Sequence, residues 1–146
     1  MKNIILSISL LAVMTGCYKE NEVIPDLIAE SKGKVAQIAV FWAGANVATK
    51  ITTITVDAAT TVPCNVEYTS EIPVTDIKLF VLNGTTPLET IPASAAKWDA
   101  KLRNYVVIFN VKAPTAKGAR LQVQAEATTD NGLASIRRTI TINTRP

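Results

Sequence analysis

The sequence predicts an all-β fold: an antiparallel β-sandwich of about seven short strands over residues 34–146, behind a cleaved signal peptide and a short tether. Three observations predict it. From Val35 onward, apolar residues recur with a period of two, the spacing of a half-buried strand. Asn83-Gly84 and Asp130-Asn131-Gly132 are tight-turn signals between the apolar runs, because Asn and Gly tolerate positive φ. Within the runs, β-branched Val, Ile and Thr dominate, as pleated half-buried surfaces favour. A length of 146 residues suits one domain plus short extras.

The first segment is read as export machinery rather than fold. Lys2 gives a positive start, residues 4–14 are apolar apart from Ser7 and Ser9, and the small residues Thr15 and Gly16 follow. The run is shorter than the roughly 20 apolar residues needed to span a bilayer. Met14-Thr15-Gly16-Cys17 resembles a bacterial lipobox. That resemblance implies cleavage before Cys17, a diacylglycerol on its thiol and an acyl chain on its new N-terminus, so residues 1–16 leave and 17–33 form a lipidated tether. More than one acyl chain gives stable anchoring. The segment 18–22, Tyr-Lys-Glu-Asn-Glu, is polar and cannot bury itself. A Lys followed by acidic residues after the lipidated Cys resembles Bacteroidetes-type lipoproteins. It implies an outer-membrane anchor displayed at the cell surface.

The strands follow in order. Residues 35–42 place Ala36, Ile38, Val40 and Trp42 on one face. Residues 52–68 carry Ile54, Val56, Ala58, Val62, Cys64, Val66 and Tyr68 at even positions, too long for one strand, so a break is expected near 58–63. Ile77, Leu79 and Val81 alternate with Lys78, Phe80 and Leu82, apolar on both faces as in a central strand. Residues 94–102 hold Ala95, Trp98 and Leu102 at helical spacing, with Ser94 as a possible cap. They read as a loop with at most one or two helical turns, or as an edge strand with a loop. Tyr105, Val107, Phe109 and Val111 share a face, as do Leu121, Val123, Ala125 and Ala127. Ile136, Ile140 and Ile142 close the domain.

A span of this size with about seven strands matches an immunoglobulin-like or fibronectin-III-like sandwich. Residues 127–135 resemble the F–G hairpin of Ig-like, cadherin-like and PKD-like bacterial surface modules. The layout is similar to small Bacteroidetes lipoproteins with one Ig-like domain, and to the N-terminal Ig-like modules of SusE-type glycan-binding lipoproteins. That resemblance implies a non-catalytic fold with a binding or presenting role.

Composition narrows the chemistry. There are 15 Lys and Arg against 12 Asp and Glu, a net charge of +3, and the cations are scattered, which argues against nucleic acid. No His is present, so a Ser or Cys nucleophile lacks its usual base. Two Cys make neither a disulfide framework nor a four-Cys zinc site, and Cys64 reads as a small buried hydrophobe. Glu67 and Glu126 alternate with apolar neighbours and are expected to face solvent. Asp130 and Asn131 lack calcium-loop spacing and read as a turn. No cofactor, metal or catalytic residue is expected.

Trp42 is expected in the core, whereas Trp98 is surrounded by Lys97, Asp99, Lys101, Arg103 and Asn104 in the least regular segment. Lys97, Trp98, Asp99, Arg103 and Asn104 are therefore the candidate ligand-binding residues. The expected function is a non-catalytic envelope lipoprotein that binds or presents a ligand, with glycan capture as the candidate role. The alternative is a module that pairs with another envelope protein and takes no small ligand. Exposure of Trp98 discriminates between them.

Overall fold

The computed structural model describes residues 33–146. The expected signal peptide, the lipidation expected at Cys17 and the expected tether up to residue 32 lie outside the described residues. The described part is an all-β sandwich of two sheets. Its strands are β1 (Gln37–Ala43), β2 (Thr53–Val56), β3 (Thr61–Thr69), β4 (Val74–Val81), β5 (Pro87–Pro92), β6 (Lys97–Asp99), β7 (Asn104–Lys112), β8 (Arg120–Thr129) and β9 (Arg138–Thr144). One sheet runs β1-β3-β7-β6 and the other β2-β9-β8-β4-β5. Two of the nine strands, β2 and β6, have only four and three residues. Every strand pair is antiparallel except β2 with β9, which is parallel.

The core lies between the sheets. Val62, Cys64, Val66, Val107 and Phe109 from one sheet meet Ile77, Leu79, Val123, Ala125, Ile140 and Ile142 from the other, all 2% exposed or less. This is the alternation read from the sequence, and it holds from Val107 to Lys112 in β7 and from Gln122 to Thr129 in β8. The break expected near 58–63 separates β2 from β3. Pro63 sits inside β3 opposite Asn110, at the level where β1 has ended, and its carbonyl accepts from the Gly44 N–H at 2.7 Å. Its missing N–H therefore costs no ladder bond.

Both tight turns form. Asn83 adopts φ 61° and the Gly84 N–H donates to Val81 O at 2.7 Å. A Cβ at Gly84 would stand 2.9 Å from that same carbonyl, so the position is closed to larger residues. In the second turn Asn131 Oδ1 accepts from the Thr129 hydroxyl at 2.7 Å and the Leu133 N–H at 3.0 Å. These are the local bonds of a turn.

Four expectations need correction. In β1 the register shifts between Ile38 and Val40, so an extra residue reverses the alternation. Phe41 and Ala43 then join Ile38 in the core cluster, and Trp42 turns to the outer face. Ile136 is 84% exposed rather than in the core, because β9 starts two residues later and the preceding Ser135 is the buried group, its hydroxyl accepting from the Ala127 N–H at 2.9 Å. Over residues 94–102 the preferred loop gives way to its alternative, an edge strand with a loop. A 3-10 turn at Ala93–Ala95, without a side-chain cap, leads into the edge strand β6. Glu67 is 4% exposed, not solvated.

Cys64 is fully buried, and burial pushes its thiol up to about 12. The native thiol should therefore resist iodoacetamide at pH 8 and react only on unfolding; labelling at the rate of an exposed thiol would refute this. The same shift has a stability sign. An unfolded thiol ionises near about 8.5, so this contribution is full below that pH and fades as pH rises toward the native value. Tyr68, raised by burial and by neighbouring Tyr105, acts in the same alkaline direction.

Candidate functional site

The outer face of the four-stranded sheet carries what the core does not explain. Trp42 is 1% exposed yet lies outside the core cluster. Beside it on β3, Asn65 and Glu67 are 7% and 4% exposed, which is unusual for polar groups on an outer face. The loop 44–52 is fastened there at three points. Lys50 Nζ lies 5.3 Å from the Trp42 ring centroid and forms an ion pair and hydrogen bond with Glu67 Oε2. Asn65 Nδ2 donates to Gly44 O at 3.0 Å. On the other side of Glu67, Asn104 Nδ2 donates to Oε1 at 2.6 Å. A buried carboxylate is tolerated here because both oxygens are held.

The other sheet repeats the device. Phe80 is 3% exposed on its outer face, the Arg137 guanidinium carbon sits 3.8 Å from the ring centroid, and Arg137 Nε donates to Glu126 Oε2 at 2.8 Å. Each outer face thus has a buried aromatic under a cation that also pairs with an acid. Arg137 donates in addition to Gly84 O at 2.8 Å, so this pair ties the β4–β5 turn.

Beside Trp42 the sheet edge opens into a cleft of about 540 Å³. Trp42, Val47, Asn65, Lys97, Trp98 and Leu102 are among its walls. It forms because β6 pairs only with Asn104, Tyr105 and Val106, leaving the rest of β7 without a neighbour on that side among the described residues. The cleft wraps around that edge. Its mixture of apolar walls and few polar groups is that of a ligand site. The indole Nε1 of Trp42 is buried and has no hydrogen-bond partner among the described residues.

Trp98 stands at the rim and is 55% exposed. It pairs in register with Tyr105, which pairs with Tyr68, so the three share one side of the sheet. The Trp98 and Tyr105 rings meet edge to face at 5.0 Å, and Tyr105 stacks on Tyr68 at 5.5 Å. Tyr68 is buried and Tyr105 is 40% exposed, so the row runs from the core out to the rim. Trp98 is braced from behind, which lowers the entropy lost when something stacks on it.

The other candidate residues divide. Lys97 and Asp99 line the cleft with Trp98. Asp99 Oδ1 is committed to the turn after β6, accepting from the Lys101 and Leu102 N–H groups at 2.9 and 3.1 Å. Arg103 is exposed in that turn with φ 54°, and its N–H donates to Asp99 O at 2.8 Å. Asn104 is turned onto Glu67. Sequence reasoning missed Trp42, Asn65, Lys50 and Glu67. Only the bulge in β1 and a pairing across seventeen residues reveal them.

The sequence matches no family model and no curated protein. Among solved structures it is similar to fibronectin(III)-like modules of Clostridium thermocellum CbhA, at 10% identity and TM-score 0.41, over 75% of this chain and 95% of that one. It is similar to a chitin binding domain from Burkholderia pseudomallei, at 13% identity and TM-score 0.42, over 63% and 56%. A Niemann-Pick type C2 protein from Japanese carpenter ant aligns at 12% identity and TM-score 0.45, over 76% and 93%.

Proposed function

We propose that this chain is a non-catalytic binding module of the bacterial cell surface, held to the outer membrane by lipid on Cys17, and that it captures polysaccharide. The observation that carries the reading is Trp98: a braced, half-exposed indole on the rim of a cleft with apolar walls. An apolar sugar face stacks on such a ring, and the polar rim groups reach hydroxyls. The anchor rests on the sequence of residues 14–17.

The test is affinity electrophoresis of the full chain through gels carrying single polysaccharides. Trp98→Ala should weaken retention by about 30-fold, the loss of roughly 2 kcal/mol expected for a Trp hot spot. Thermal stability should be unchanged, because a rim residue supports little of the core. Retention of Trp98→Ala equal to that of the unaltered chain would remove the assignment.

A second reading has its own observation. The β7 edge beyond Val106 presents backbone unpaired among the described residues, with Ile108 57% exposed beside it. Such an edge accepts an added strand from a partner protein. Crosslinking from intact cells that traps one envelope protein at the β7 edge, with no polysaccharide retained, would favour this reading over the first.

A further inference from the structure

The charges around Trp98 narrow the kind of polysaccharide, and this inference rests on the reading just given. Several cations near the sheets are already engaged: Lys50 by Glu67, Lys78 by Asp76, Arg137 by Glu126, Arg138 by Ile38 O and Arg145 by Asp57, while the exposed Lys112, Lys117 and Arg120 lie outside the Trp98 hairpin. Lys97, Lys101 and Arg103 are exposed and have no side-chain partner among the described residues. All three lie in the hairpin that carries Trp98. The acid in this hairpin, Asp99, has one oxygen committed to two backbone N–H groups. The acid on the neighbouring strand face, Glu67, is buried under Lys50 and Asn104. Three cations against the one carboxylate of Asp99 leave the hairpin that carries the indole with an excess of positive charge.

The hairpin is also rigid. Its turn is closed by the Arg103 N–H to Asp99 O bond and by the two bonds to Asp99 Oδ1, so the cations are presented from a fixed frame. Lys97 lies on the outer side of β6 and Trp98 on the core side, and because β6 is an edge strand a chain lying along it meets both. We propose that the ligand is an acidic polysaccharide: a sugar ring packs on Trp98 while carboxylates or sulfate esters of the same chain reach Lys97, Lys101 and Arg103. Free cations beside an aromatic platform give selectivity for anions, and faster association at low salt.

The experiment measures binding of the full chain to four polymers: polygalacturonate, its uncharged fully methyl-esterified form, dextran sulfate and dextran. Each is measured at about 20 mM and about 150 mM salt. The proposal expects at least one charged polymer to bind about tenfold more tightly than its neutral counterpart, with the gap shrinking at the higher salt. Which of the two charged polymers binds separates carboxylate from sulfate. The triple variant Lys97→Gln, Lys101→Gln, Arg103→Gln should lose the preference while unfolding at the same temperature. Trp98→Ala should weaken charged and neutral polymers alike. Equal binding of charged and neutral polymers overturns the proposal and leaves the polysaccharide reading intact. Binding of charged polymers that survives Trp98→Ala overturns it as well, since the cations would then act alone. Binding of no polysaccharide at all overturns both.

Discussion

Lys50→Ala should destabilise the domain by about 3 kcal/mol and lower its Tm by roughly 10 °C, far more than loss of an ordinary surface ion pair. The reason is the environment of its partner. The Glu67 side chain is 5% exposed and the Lys50 side chain 24%, so deleting the ammonium leaves a carboxylate in a dry site with only Asn104 to hold it. The change also uncovers Trp42, which loses the cation over its ring. The control is the double variant Lys50→Met with Glu67→Leu. Replacing a buried pair by apolar groups of similar size is often neutral, so this variant should recover most of the loss. Guanidinium titrations of the three proteins read the outcome. A cost below about 1 kcal/mol for Lys50→Ala would place the pair among screened surface bridges and sink the argument.

The same pair shows where sequence reading stops. The alternation in β7 and β8 is local: each residue's face follows from its neighbours two positions away, so Phe109, Val123 and Ala125 were legible as core. The Asn83-Gly84 and 130–132 turns were legible for the same reason, since their chemistry lies within four residues. Glu67 obeys that local rule too: it does point away from the sandwich core. Its burial comes from Lys50, seventeen residues back, and Asn104, thirty-seven residues on, and no local pattern reports such partners. The phase of Trp42 was lost to one extra residue, because in a strand a one-residue slip sends every later side chain to the opposite face.

The candidate site divides along the same line. The hairpin around Trp98 was legible as irregular, charged and aromatic, a composition that suits no buried strand. The cleft beside it was not. Its opening depends on β6 being only three residues long against a nine-residue β7, a mismatch of lengths between paired strands that neither sequence announces alone. The edge-strand alternative for 94–102 is the one that forms. Its brevity exposes the β7 edge and leaves Trp98, Lys97 and Leu102 lining the cleft around it.

Trp42 gives the second large effect. Trp42→Ala should cost about 4 kcal/mol, the range for deleting a large buried aromatic, because the ring is 1% exposed and the loop 44–52 packs over it through Lys50. Trp42→Phe should cost less than about 1.5 kcal/mol. Replacing a buried Trp usually forfeits a hydrogen bond as well as volume, but here Nε1 has no partner among the described residues, so only volume and part of the cation–ring attraction are lost. The ratio between the two variants is the diagnostic quantity. If Trp42→Phe proves as damaging as Trp42→Ala, the indole N–H must be bonded in solution and its place in the cleft wall needs revision. Fluorescence supplies the independent check: acrylamide should quench the half-exposed Trp98 and leave Trp42 untouched, and Trp42→Phe should leave a single, fully quenchable emitter. A protected emitter surviving in that variant would mean that Trp98 is buried, which would remove the aromatic platform from the rim of the cleft.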